Sequence, residues 1–362
     1  MSTLPKTMRA AMLLGPERIV VAEVPRPKPP PNGFLLRVEA ATTCGTDVKV
    51  YRRGGHPRML VAPTPFGHEM AGTIVAGHAA AGSLEPGDRV VVANSAACGQ
   101  CDYCRRGREN LCRDLQYLNG AFAEFVPVPE RFAARSVHRI PKGMGFERAA
   151  LAEPLACVLH GVDACEIGER VGGSGESPAG NAVQAAVYGA GPIGLLFVAV
   201  LARSGLEVIA ADPNPNRLES AARMGARQTV QIARDRGQDK TLRALTRNRE
   251  GAEIVVECTG APQIWEAAIG TARTGGLVNL FGGCLPGTRV PLDTERIHYH
   301  ELTVKGVYHH RPAAFARALA VLADPGFPAE TLLTGRCGIG GVEAALRAMI
   351  DKRALKFVVS GR

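Results

Sequence analysis

Ala185-Ala186-Val187-Tyr188-Gly189-Ala190-Gly191-Pro192-Ile193-Gly194 runs from an apolar strand into a G-x-G-x-x-G turn and on into an apolar helix over about 192–204. A second strand follows at 207–211 and ends on Asp212. Each glycine has a physical task. Gly189 permits the tight turn, Gly191 lets the backbone approach a pyrophosphate, and Gly194 lets helix and strand pack closely. The helix start at Pro192-Ile193 supplies N–H donors and positive potential for phosphate. Asp212 is placed to accept from a ribose 2′-hydroxyl, and its charge repels a 2′-phosphate, which favours NAD over NADP. Arg217, on the helix expected near 216–224, pulls toward the phosphorylated cofactor. A glycine-rich turn alone is common; the strand before it, the helix after it and the acid ending the next strand make this one a dinucleotide site.

Outward from that turn the rhythm continues. Strands are expected at 254–257, 276–281 and 302–307 with helical patterns between them, which predicts a doubly wound parallel α/β sheet. Upstream, roughly the first 155 residues are β-rich. Short apolar runs at 19–21, 34–38, 71–75 and 89–92 are punctuated by Pro and Gly, so a barrel-like or sandwich-like β domain is expected. The tract Gly172-Gly173-Ser174-Gly175-Glu176-Ser177-Pro178 reads as a flexible loop near a boundary. The last fifty residues carry two helical patterns and a terminal strand at 355–359. A length of 362 residues fits two domains.

The bulk numbers exclude several classes. With 46% apolar and 21% charged residues the chain is an ordinary globular one. No apolar run nears the roughly 20 residues that span a bilayer. The N-terminus shows no continuous apolar signal core, so a cytoplasmic protein without a membrane partner is expected. The net charge of +9 raises nucleic acid as a partner. The basic clusters are short, however, Arg105-Arg106-Gly107-Arg108 being the densest, and scattered surface arginine accounts for the charge without nucleic acid.

Of ten cysteines, four crowd together as Cys98-x2-Cys101-x2-Cys104-x7-Cys112. In a cytoplasmic chain such crowding points to metal rather than disulfides. Four thiolates at this spacing close a tetrahedral zinc site with no open position, a structural site. An iron–sulfur cluster is the rival, against which stand the seven-residue gap and the absence of a Cys-Pro ending. Cysteines 157, 165, 258, 284 and 337 are isolated and read as small buried fillers. His298-Tyr299-His300 and Tyr308-His309-His310-Arg311 read as hinge or subunit-surface groups, with metal binding the lesser alternative.

Three further segments have the make-up of an open zinc site: Cys44 in Thr43-Cys44-Gly45-Thr46-Asp47, His68 and Glu69 in Gly67-His68-Glu69, and Glu153 in Ala152-Glu153-Pro154. Each alone is weak. Their joint occurrence with the cysteine lobe and the glycine turn is not. In these motifs, and in Gly120-Ala121-Phe122-Ala123-Glu124-Phe125, the chain resembles the zinc-dependent medium-chain alcohol dehydrogenases, particularly the polyol and threonine dehydrogenase branch.

The resemblance implies a GroES-like catalytic domain over 1–155, with a structural zinc lobe at 94–116, a Rossmann domain over 156–309, and a return of 310–362 to the catalytic domain. It implies Cys44, His68 and Glu153 as ligands of a catalytic zinc, with Glu69 as an adjacent acid that approaches the metal during ligand exchange. Asp47 would orient the histidine, and Thr46 would begin a proton relay. Lys49 stands where many relatives carry His; a relay group, a substrate-binding group and a solvent-facing lysine all remain open for it. The function implied is hydride transfer between a secondary alcohol (a polyol, cyclitol or amino alcohol) and NAD, giving a ketone, with two zinc ions per chain. A homotetramer or homodimer is implied, through the sheet edge near 276–290. The competing readings are a zinc-free NADPH-dependent enone or quinone reductase of the same superfamily and a basic zinc-lobe nucleic-acid-binding protein. The retained ligands and Asp212 argue against the first, and the glycine turn against the second.

Overall fold

The computed structural model describes residues 4–78, 84–170, 182–233, 235 and 237–361. The glycine- and serine-rich tract at 172–178 lies outside them. The chain divides into two compact units, one of Met1–Ala156 with His310–Arg362 and the other of Cys157–His309.

The first unit is built on a seven-stranded sheet. Its central strand, Phe34–Thr42, pairs antiparallel with Glu69–Gly77, with Phe125–Val128 and with the terminal strand Lys356–Ser360. Buried side chains from both chain segments form one core: Phe34, Leu36, Phe66, Phe122 and Val126 pack with Leu346, Met349 and Val359. Several strands escaped sequence reading, among them Thr7–Gly15, Gln228–Gln231 and one in the last segment. Leu333–Gly338 (LTGRCG) pairs parallel with Lys356–Ser360, yet its two glycines and alternating exposure give little strand signal.

A second joint inside this unit is Arg148, at the helix Phe146–Ala150. All its donor nitrogens are used: Nε donates to Leu322 O (2.6 Å), Nη1 to both Glu330 carboxylate oxygens (2.5 and 2.6 Å), and Nη2 to Asp324 O and Phe327 O (2.7 and 2.9 Å). Only the planar guanidinium matches that fan of acceptors. Arg148→Ala is expected to cost about 3 kcal/mol of unfolding free energy, because three backbone carbonyls and a carboxylate lose charged donors at once. Arg148→Lys should recover less than half. Denaturant titration of the three proteins checks this, and a lysine variant as stable as wild type would refute it.

The second unit holds a six-stranded all-parallel sheet. The order is Gln228–Gln231, Glu207–Asp212, Gln184–Tyr188, Ala252–Glu257, Ala272–Leu280, Thr303–Gly306. In chain order this is 3-2-1-4-5-6, the doubly wound arrangement whose topological switch lies beside Gln184–Tyr188. Every residue of that strand is buried, as expected for a strand covered on both faces. The α/β reading of this half and the β-rich reading of the other are both borne out. No helix among the described residues is long and apolar enough to cross a membrane.

Candidate active site

Strand register assembles the first cluster. Thr42 stands opposite Glu69 across the central pair, so Cys44 and His68, just beyond each strand end, are brought side by side. Donor atoms of Cys44, His68 and Glu69 lie within 4.8 Å of one another. Gly67, at φ +89°, is required where it stands, since a Cβ there would lie 2.8 Å from the Phe122 ring.

Cys44 is also the N-cap of the helix Gly45–Arg53, and its sulfur accepts from Thr46 N (3.4 Å). Asp47, in the first turn, works in two directions. Its Oδ2 accepts from Cys44 N (2.8 Å) and its Oδ1 meets His68 Nδ1 (2.8 Å), with both Asp47 and His68 buried. One carboxylate thereby fixes the backbone of one donor and the ring of the other. The proton on Nδ1 leaves the Nε2 lone pair for a ligand. Lys49 is exposed on the same helix.

Glu69 is fully buried. Lys356 Nζ lies 2.9 and 2.7 Å from its two oxygens, and Thr42 Oγ1 donates to it as well. Lys356 itself is 1% exposed. Sequence reading missed this partner, which lies 287 positions away. Glu153, near the start of the helix Ala152–Asp163, is buried outside the 4.8 Å group but within electrostatic reach of His68 and Glu69. Burial, with Glu69 adding to it, pushes its carboxyl up to about 7. Burial opposes charge on His68, but the Asp47 carboxylate and Cys44 outweigh it and hold the ring well above the usual histidine range. The half-buried Cys44 thiol, the His68 imidazole and the buried carboxylates form a donor set suited to a cation.

The second cluster is the cysteine lobe. Neighbouring sulfurs of Cys98, Cys101, Cys104 and Cys112 are 3.5 to 3.9 Å apart. A tetrahedral zinc with Zn–S of about 2.3 Å sets sulfurs about 3.8 Å apart, so the four fit that ion. Backbone N–H groups of Gln100 and Cys101 point at Cys98 Sγ (3.5 and 3.4 Å) and pull its pKa down, favouring thiolate. None of the ten cysteines is in a disulfide. Of the isolated ones Cys165 is fully buried, Cys337 is half-buried and packs against the core of the first unit, and 157, 258 and 284 are half-buried. The 298–310 histidines join neither of these two clusters: His300 Nδ1 bonds Thr274 Oγ1, and His310 Nε2 bonds Asn94 Oδ1.

In the second unit, Gly189 has φ +92°, and Gly194 comes so close that a Cβ would sit 1.7 Å from Gly189 O. Gly191 caps the helix Pro192–Arg203, with Pro192 in its first turn. Arg217 Nη1 stands 4.0 Å from the Cβ position of Gly191, beside the turn. Asp212 is buried; its Oδ2 accepts from Ala190 N and its Oδ1 from Asn214 N, each at 2.8 Å. The acid expected to face a ribose therefore also braces the turn. Ile193 is half-buried in the same helix start.

These two sites agree with comparisons to known proteins. Residues 30–142 match the alcohol dehydrogenase GroES-like domain, and residues 192–324 match the zinc-binding dehydrogenase domain. The chain is 36% identical to D-altritol 5-dehydrogenase of Agrobacterium fabrum, over 91% of this chain and 92% of that one. It is 29% identical to L-threonine 3-dehydrogenase of Deinococcus radiodurans, covering 95% and 94% respectively. A zinc-binding dehydrogenase structure from Sinorhizobium meliloti, bound to NADP, superposes with a TM-score of 0.85 at 28% identity, covering 98% of this chain and all of that one. The chain belongs to the zinc-dependent medium-chain alcohol dehydrogenases, in the branch of the polyol and threonine dehydrogenases.

Proposed function

We propose that this alcohol dehydrogenase oxidises a secondary alcohol bearing further polar groups (a polyol, cyclitol or amino alcohol) to the ketone, with NAD as hydride acceptor. The observation that carries the reading is the pair of hydrogen bonds that Asp47 accepts, one on each carboxylate oxygen, which holds Cys44 and His68 together as a prepared pair of donors. Glu153 completes the ligand set, since Glu69 already faces Lys356 and Thr42; Glu69 is the acid at hand for ligand exchange. Cys98, Cys101, Cys104 and Cys112 hold a second, structural zinc.

When bound, zinc supplies Lewis acidity at the alcohol oxygen and the nicotinamide supplies the hydride acceptor. The chain's own residues do the rest. Asp47 keeps His68 in the Nδ1–H form. The Thr46 hydroxyl, one residue before Asp47, accepts the alcohol proton and hands it outward to water beside the exposed Lys49. Gly189, Gly191 and the helix start at Pro192–Ile193 hold the pyrophosphate. Asp212, pinned by two N–H bonds, presents fixed negative charge to the ribose, which favours NAD, and Arg217 serves the phosphates. Assembly into a dimer or tetramer follows the sheet edge, which is Thr303–Gly306 rather than the expected 276–290, since the strand Ala272–Leu280 lies one place inward; Leu285, Leu292 and Tyr299 are exposed.

Metal analysis with a panel of alcohols tests this. Two zinc ions per chain and alcohol-dependent NADH formation support the reading; one zinc and no turnover on any alcohol with either cofactor would end it. Cofactor choice has its own prediction. Wild type should prefer NAD over NADP by at least about tenfold in kcat/KM, and Asp212→Ser should shift the ratio toward NADP by about tenfold, a change on the scale of one charged contact. An unchanged ratio would remove Asp212 from cofactor selection.

A further inference from the structure

Glu257 ends the strand Ala252–Glu257 fully buried, with no lysine or arginine bonded to its carboxylate among the described contacts. Instead its carboxylate gathers neutral donors from the next loop. Oε1 accepts from Thr259 N (2.6 Å), Thr259 Oγ1 and Gly260 N (3.0 Å), and Oε2 accepts from Gly260 N (3.2 Å). The indole of Trp265 faces the same carboxylate and donates to Gly282 O at 2.9 Å. Gly282 crowds in so closely that a Cβ there would lie 2.6 Å from Glu257 Oε2 and 2.4 Å from Gly260 N. Thr259 then presses its Cγ2 against Gly189, 2.8 Å from the Cβ position of that glycine. One buried carboxylate thus locks three loops, 189–191, 258–261 and 282–283, at the carboxyl ends of adjacent parallel strands. In doubly wound sheets that edge is where ligands bind.

We propose that Glu257 is a positioning residue for the dinucleotide: it pre-forms the 258–261 loop against the Gly189 turn, so that cofactor meets an already ordered surface. This rests on the dinucleotide reading above. Pre-ordering adds affinity because the loop does not have to be fixed at the moment of binding. Glu257→Gln keeps the shape but replaces one acceptor oxygen by a donor that faces other donors, and the loop loosens.

Trp265 is the sole tryptophan of the chain and lies in this junction, so its emission reports both loop order and cofactor arrival. The experiment titrates NAD and NADH into zinc-loaded protein and follows Trp265 fluorescence, with saturating-cofactor kcat and thermal midpoint measured in parallel. Glu257→Gln should raise the cofactor Kd about tenfold while kcat at saturation stays within about twofold. Thr259→Val, which keeps the methyl against Gly189 but removes the hydroxyl, should raise Kd about threefold. Thr259→Ser, which keeps the hydroxyl on Glu257 but gives up the methyl against Gly189, should bind between wild type and Thr259→Val. A Glu257→Gln protein that melts earlier yet binds cofactor with wild-type Kd overturns the inference, the acid then being structural only. Should Glu257→Gln fail to fold, Thr259→Val decides: weakened binding supports the inference and unchanged binding overturns it. A wild-type chain that responds to neither NAD nor NADP overturns the dinucleotide reading itself, and this inference with it.

Discussion

Lys356→Met lowers the unfolding free energy by about 3–5 kcal/mol, the range for removing one partner of a buried ion pair. The methionine nearly matches the lysine stem in size, so the loss is electrostatic: Glu69, fully buried, is left without its counter-charge and with Thr42 as its remaining side-chain donor. Burial disfavours the ammonium of Lys356, but the Glu69 carboxylate and Cys44 outweigh it, so Lys356 is charged in the folded protein. Pairing the change with Glu69→Leu should return most of the lost stability, since an apolar pair of similar volume often replaces a buried ion pair at little or no net cost. Activity should stay low in the double variant, because the acid beside Cys44 and His68 is gone. Denaturant midpoints of wild type, both single variants and the double variant give the coupling energy. Equal stability of Lys356→Met and wild type would show that the pair carries no weight.

Asp47→Asn should cut kcat/KM by about 10–100-fold and lower zinc from two per chain toward one, the usual toll for losing the carboxylate behind a metal-bound histidine. The amide can still accept from Cys44 N with its oxygen, but its NH2 then faces His68 Nδ1. The ring must turn its proton to Nε2, where the ligand lone pair is needed. The cysteine lobe should keep its zinc, so metal analysis reads the two sites separately. Retention of both ions at full activity would contradict the role given to Asp47.

How much of this was legible in the sequence depended on the range of the signal. The Gly189–Gly194 turn, the four-cysteine run and the Cys44–Asp47 turn were readable because spacing within one or two turns of chain dictates their geometry. The strand alternation after Tyr188 likewise announced the parallel sheet. Lys356 was not readable. Within Leu355-Lys356-Phe357-Val358-Val359 it looks like one polar residue on an ordinary strand, and only the pairing of Val358 with Thr42, itself opposite Glu69, turns it inward. Glu257 was equally silent, since nothing local separates a strand-ending acid that binds the next loop from one that faces water. Asp212 was found but only half understood: its contacts with Ala190 and Asn214 are backbone bonds that no side-chain pattern advertises.

The pairing of the last strand with the central one has a consequence for biosynthesis. Residues 157–309 form their unit from one continuous stretch, so that unit can fold while the chain is still emerging from the ribosome. The other unit cannot close. Phe357 exchanges hydrogen bonds with Thr43 (3.0 and 2.8 Å) immediately beside Cys44, and Lys356 neutralises Glu69. Until those residues leave the exit tunnel, the segment bearing Cys44 and His68 waits with an unpaired strand edge and an uncompensated acid. A polypeptide truncated before Lys356 therefore keeps the continuous 157–309 stretch but lacks both the strand that pairs with Thr42 and the ammonium that faces Glu69.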